Sequence, residues 1–171
     1  MKQTIAFTLN GEAVSCDVDV RQSLIEVLRD EFEMTGVKEG CSVGECGACT
    51  VIIDGQTMES CLYMAVWANG KNITTIEGVA AEDGHLDNVQ QAFVDAGAVQ
   101  CGYCTPGMVL SSEQLLADNP NPTRDEIRRG LSGNMCRCTG YQKIVDAVEL
   151  AAKNGGVKTD NRNKIPFHVA N

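Results

Sequence analysis

The eleven residues Gly40-Cys41-Ser42-Val43-Gly44-Glu45-Cys46-Gly47-Ala48-Cys49-Thr50, GCSVGECGACT, contain three cysteines and three glycines. Three thiols on one short loop ask for a shared partner. Sulfur is also what sets the whole chain apart, with nine cysteines among 171 residues. The rest of the composition is ordinary. A hydrophobic fraction of 43% supports a globular core, aromatics are sparse at 5%, and the length suits one large domain or two small ones.

A formal net charge of −9 argues against a nucleic-acid or anionic-membrane partner, both of which this surface would repel. The start, MKQTIAFTLNGEAVS, has no apolar run of secretory-signal length, and Arg128-Arg129 lies too deep for a twin-arginine signal. No stretch approaches a transmembrane span. The expected compartment is cytoplasmic, where clustered thiols bind metal or do redox chemistry more often than they form structural disulfides.

Reading outward from the cysteine loop, the first half has strand texture. Thr4–Leu9 and Ala13–Val18 flank Asn10-Gly11, the strongest two-residue hairpin signal. Ser23 caps a helix over Leu24–Asp30 with Leu24, Val27 and Leu28 on one face. Thr50–Ile53 runs into an Asp54-Gly55 turn, and Ile73–Ile76 is a further strand. Near residue 80 the period becomes helical. Leu86, Val89, Gln90 and Phe93 mark one helix, and Met108, Leu110, Leu115 and Leu116 a second. Thr123 with Glu126 forms a capping box for a third, and Ile144, Val145, Val148 and Leu150 carry the last. The expected fold class is therefore α+β, a small sheet domain over 1–77, a glycine-bounded linker over 78–84 and a compact helical bundle over 85–153. The tail 154–171 is polar apart from Ile165-Pro166-Phe167, and is expected to be disordered alone or ordered by a partner.

Cys41, Cys46 and Cys49 form CxxxxCxxC, with Cys61 twelve residues further on, the spacing of plant-type [2Fe–2S] sites. Two irons bridged by two sulfides need four outer thiolates, and a loop wrapped around them must turn its amides toward sulfur. Gly40, Gly44 and Gly47 permit that wrap, and the amides tune the potential. The competing reading is a structural zinc site, which uses the same four thiolates but usually as two separated CxxC pairs around one ion. A second set, Cys101 and Cys104 with Cys136 and Cys138, offers a CxxC at a helix start and a CxC between helices. Together they make a four-sulfur site in the helical half. Zinc, or a dithiol redox pair at Cys101 and Cys104 alone, stays open on spacing, although a thioredoxin-like site has no use for the CxC.

The segments GCSVGECGACTV, SCLYMAVWANGK, GAVQCGYCTPGMVL and LSGNMCRCTGYQKIV resemble the iron–sulfur subunit of the molybdenum hydroxylases, the xanthine dehydrogenase and aldehyde oxidoreductase family. The resemblance runs from about residue 3 to 153, in order, with both cysteine sets complete. Its wording is closest to the bacterial xanthine and nicotinate dehydrogenase side. It implies a plant-ferredoxin-like β-grasp domain with one [2Fe-2S] cluster, then a four-helix domain with another. It also implies two partners, a large molybdopterin-binding subunit and a medium FAD-binding subunit, with no organic substrate bound by this chain. Electrons would pass from molybdenum to the Cys101/Cys104/Cys136/Cys138 site, then to the Cys41/Cys46/Cys49/Cys61 site, then to flavin. Gln100 and Cys138 match positions that lie against the pterin. The substrate implied is a purine or other N-heterocycle such as xanthine, with aldehyde, carbon monoxide or aromatic-thioester oxidation as alternatives. A free-standing double-cluster carrier is the other functional class.

The remaining residues take plainer readings. Cys16 is a small hydrophobe in a strand. His85 and His168 lie outside any ligand pattern, which argues against a Rieske-type site. Trp67, Tyr63 and Met64 are expected in the core. Arg128, Arg129 and Arg137 pair with a partner or are solvated, with Arg137 placed between two ligands to tune a potential.

Overall fold

The structure, a computed structural model, describes residues 1–81 and 83–157. Strand β1 (Lys2–Leu9) pairs antiparallel with β2 (Glu12–Asp19) through the Asn10-Gly11 turn, where φ is 51° and 90°. Both turn residues need positive φ to match the twist of the strands, which is why Asn-Gly stands there. Helix α1 (Leu24–Asp30) follows, and the Glu26 carboxylate accepts from the Ser23 amide at 2.7 Å. Beyond the cysteine loop come β3 (Thr50–Ile53), β4 (Gln56–Glu59) and β5 (Asn72–Thr74). The sheet order is β2-β1-β5-β3-β4, with β1 and β5 parallel and the other pairs antiparallel. The Asp54-Gly55 turn closes a second hairpin of the same kind, at φ 48° and 82°. Its return strand β4 has two exposed residues and no apolar alternation of its own, so the sequence signals the turn but not the strand after it.

Among the described residues, the second half holds four helices: α2 (Asn88–Asp95), α3 (Thr105–Asp118), α4 (Arg124–Gly130) and α5 (Gln142–Lys153). Asp87 caps α2 and Thr123 caps α4, each with its capping-box partner, Gln90 or Glu126. Helix α2 starts later than the apolar pattern suggests, because Asp87 takes the cap and leaves Leu86 exposed in front of it.

Two cores form, and β3 serves both. Val51 and Ile53 point into the sheet core with Ile5, Leu24, Val27 and Leu28, whereas Ile52 points the other way and joins Phe93, Met108, Leu110 and Ile144. A strand buried on both faces needs an unbroken apolar run, and Val51-Ile52-Ile53 supplies it. The helical core also takes in Val79, just after the short 3-10 turn Ile76–Gly78, and Val157, just beyond α5. Packing thus reaches into the expected linker and the start of the expected tail. Ile165, Pro166, Phe167 and His168 lie outside the described residues.

Trp67 corrects an expectation. It is exposed, with Tyr63 edge-on against it at 5.6 Å between ring centres. The local backbone is a 3-10 turn, Ala65–Ala68, in which residues three apart share a face. Ala65 and Ala68 take the buried face, so Trp67 is turned out.

Candidate metal centres

The first cysteine loop leaves α1 and returns into β3, and its base is closed by the Lys38 amide donating to the Ala48 carbonyl at 3.2 Å. The wrap uses the left-handed region at Ser42 (φ 57°), Gly44 (φ 76°) and Gly47 (φ 68°). Those turns aim amides at sulfur: Val43 N and Glu45 N donate to Cys41 Sγ at 3.5 and 3.3 Å. These donors hold the Cys41 thiol down at about 7. Gly40 leaves room for sulfur, since a Cβ there would sit 2.8 Å from Cys46 Sγ. Cys41 and Cys46 lie within side-chain hydrogen-bonding reach of each other, as do Cys49 and Cys61. Cys49 is buried, which pushes its thiol up to about 12.

In the second set, Cys101 and Cys104 precede α3, with Cys104 in the cap position. Gly102 turns the chain between them at φ 83°. The Cys136 amide donates to Tyr141 Oη at 2.9 Å, and Cys136 Sγ contacts Thr139 Oγ1 at 3.1 Å. Burial raises the Cys136 thiol, but the Thr139 contacts and nearby donors outweigh it, so its pKa is lowered. Cys104 is pushed up to about 12, first by burial and then by Cys136. Cys101 is lowered by the Tyr103 amide, and Cys138 is raised by its contact with Cys101.

Cys101 is influenced by Cys138 and Cys136, and Cys104 by Cys136 and Cys101, so the four thiols of this set lie near one another. Among the described residues, no three His, Cys, Asp or Glu side chains converge on a point that would hold one ion. Four thiols in each set meet the demand of a two-iron cluster, two protein thiolates per iron.

The two sets meet through backbone. Met135 N donates to the Cys46 carbonyl at 2.9 Å, Asn134 Nδ2 donates to the Gly47 carbonyl at 3.0 Å, and Tyr103 Oη donates to the Glu39 carbonyl at 2.6 Å. Sequence reasoning passed over Asn134, Met135, Thr139 and Tyr141, although all lie beside the CxC it singled out. Gln100 and Cys138 are both exposed at the second set. Arg137 is exposed as well, and Arg128 pairs with Asp125 at 2.8 Å.

Residues 7–73 match the 2Fe-2S iron-sulfur cluster binding domain family, and residues 75–149 match the [2Fe-2S] binding domain family. The nicotinate dehydrogenase small FeS subunit of Eubacterium barkeri is 53% identical, over 89% of this chain and 96% of its own length. The xanthine dehydrogenase iron-sulfur-binding subunit of Escherichia coli O157:H7 is 52% identical, over 85% of this chain and 91% of its own. Among solved structures, quinoline 2-oxidoreductase from Pseudomonas putida 86 superposes with a TM-score of 0.86 at 43% identity, covering 91% of this chain and 99% of that one. The aldehyde oxidoreductase from Desulfovibrio desulfuricans matches with a TM-score of 0.85 at 38% identity, over 98% of this chain but 19% of that longer one. With a ferredoxin-like domain, a helical domain and two [2Fe-2S]-binding regions in one order, the chain belongs to the iron–sulfur small subunits of the molybdenum hydroxylase family.

Proposed function

We propose that this chain is the electron-transfer subunit of a molybdopterin-dependent dehydrogenase, and that the observation carrying this reading is the close approach of the two four-cysteine sets, joined by the hydrogen bond from the Met135 amide to the Cys46 carbonyl. Cys41, Cys46, Cys49 and Cys61 would hold one [2Fe-2S] cluster and Cys101, Cys104, Cys136 and Cys138 the other. One-electron acceptance and release is what such clusters supply when bound. The residues of this chain do the rest. The Val43 and Glu45 amides donate to Cys41 Sγ and the Thr139 hydroxyl lies 3.1 Å from Cys136 Sγ, contacts that favour the thiolate form. Cys49 and Cys136 are the buried members of their sets, while Cys101 and Cys138 face the surface.

Electrons would enter where Gln100 and Cys138 are exposed, facing a large molybdopterin-binding subunit, and leave from the first loop toward a medium FAD-binding subunit. The two units are read as a β-grasp domain over 1–77 and a four-helix bundle over 85–153, joined through 78–84, with 154–171 as a C-terminal tail. The substrate of the complex is read as a purine or related N-heterocycle, in keeping with relatives named for nicotinate and xanthine. The compartment is read as cytoplasmic; among the described residues no helix is long and apolar enough to cross a membrane. Purification under native conditions tests the assignment. A subunit co-elutes with two larger chains, one binding molybdenum and one binding flavin, whereas a chain that runs alone with its iron is a free-standing carrier.

A further inference from the structure

At the join between the two halves lies a closed group of buried polar atoms that neither cysteine set requires for ligation. Asn134 is buried, and its Nδ2 donates to the Gly47 carbonyl at 3.0 Å and to Thr50 Oγ1 at 3.3 Å. Its Oδ1 accepts from Ser111 Oγ at 2.8 Å, while Thr50 Oγ1 donates back to the Gly47 carbonyl at 2.7 Å. A buried amide is costly unless satisfied, and this one uses its donors on the Gly47-Thr50 stretch and its acceptor on α3.

Shape reinforces the chemistry. A Cβ on Gly47 would stand 2.5 Å from both Asn134 Nδ2 and the Gly133 carbonyl, and one on Gly107 would stand 2.2 Å from the Gly47 carbonyl. The Gly47 carbonyl is thus seated between the Cα of Gly107 and the amide of Asn134. Gly47 adjoins Cys46, Asn134 lies two residues before Cys136, and Gly107 lies three after Cys104.

We infer that Asn134 is a positioning residue that fixes the first cysteine loop against the second, and so sets the separation of the two metal centres. This rests on the reading above that each set holds a cluster. Asn suits the place because its two ends differ. Asp would keep the acceptor for Ser111 but put a second oxygen against the Gly47 carbonyl, and Ala would leave Ser111 Oγ unpaired.

The test is Asn134→Asp, with Ser111→Ala as the milder variant that leaves the Gly47 contact in place. Three readouts are taken: iron content, the mutual splitting of the two reduced centres in EPR, and hydrogen exchange at the Met135 amide. The expected result for Asn134→Asp is unchanged iron and two separate signals, with loss of the splitting and faster exchange at Met135. Ser111→Ala should retain the splitting. Unchanged splitting and exchange in Asn134→Asp, or loss of iron from one set alone, overturns the inference. If Asn134→Asp does not fold, loss of splitting in Gly107→Ala, which pushes the same carbonyl from the other side, supports the inference, and unchanged splitting there overturns it. A wild-type chain without iron refutes the functional reading instead, which keeps the two failures distinct.

Discussion

Glu113 on α3 is almost fully buried, and its Oε1 has no hydrogen-bond partner. Burial, and then the neighbouring Asp87 carboxylate, push its carboxyl up to about 10 from an ordinary value of 4.5. The folded chain therefore keeps a proton on Glu113 throughout the neutral range, where the unfolded chain has released it. Stability from this group is full below the unfolded value and is lost as pH rises toward the folded one, at about 1.4 kcal/mol per pH unit for one proton. Between pH 6 and pH 8 the loss amounts to about 3 kcal/mol, a sizeable share of a domain's typical stability. Glu113→Gln places a neutral amide of the same size there and removes the linkage. Anaerobic urea unfolding of both proteins, followed by far-UV circular dichroism at pH 6, 7 and 8, reads the difference between them, so titrations common to both cancel. The variant should gain on wild type by about 3 kcal/mol across that span. Parallel pH profiles would refute the reasoning and place a charged or solvated carboxylate at Glu113.

Three substitutions or modifications probe the sites. Gly40→Ala sets a Cβ 2.8 Å from Cys46 Sγ and should cost the first centre its iron while leaving the second EPR signal intact; an unaffected first centre would show that the loop has slack. Cys138→Ser should damage only the second centre and stop turnover of the complex, and the disappearance of both centres together would mean that the ligands are wrongly divided. In the chain stripped of iron, Cys41, held at about 7, should be alkylated at pH 8 well before Cys49 and Cys104, both pushed up to about 12. Mass spectrometry of timed samples would show equal labelling if the amides of Val43 and Glu45 do not act on that sulfur.

Much of the fold is legible in local chemistry. The Asn10-Gly11 and Asp54-Gly55 turns, the Ser23 cap and the Thr123–Glu126 capping box all appear where residue type dictates, because each is settled within four residues of chain. What depends on distant partners is not legible. Strand β4 has little apolar pattern and is fixed by its hairpin with β3. Trp67 reads as core by its size, but the 3-10 turn around it exposes it. The cysteine sets stand out by spacing, whereas the bridge through Asn134 and Met135 needs the two halves to be brought together.

The central claim is that each set of four thiols holds its own two-iron cluster. An iron and acid-labile sulfide assay on anaerobically purified protein, followed by low-temperature EPR after dithionite reduction, tests it directly. The account predicts about four irons and about four sulfides per chain, with two distinguishable reduced signals. Zinc in place of iron, or a single signal from fully loaded protein, would contradict it.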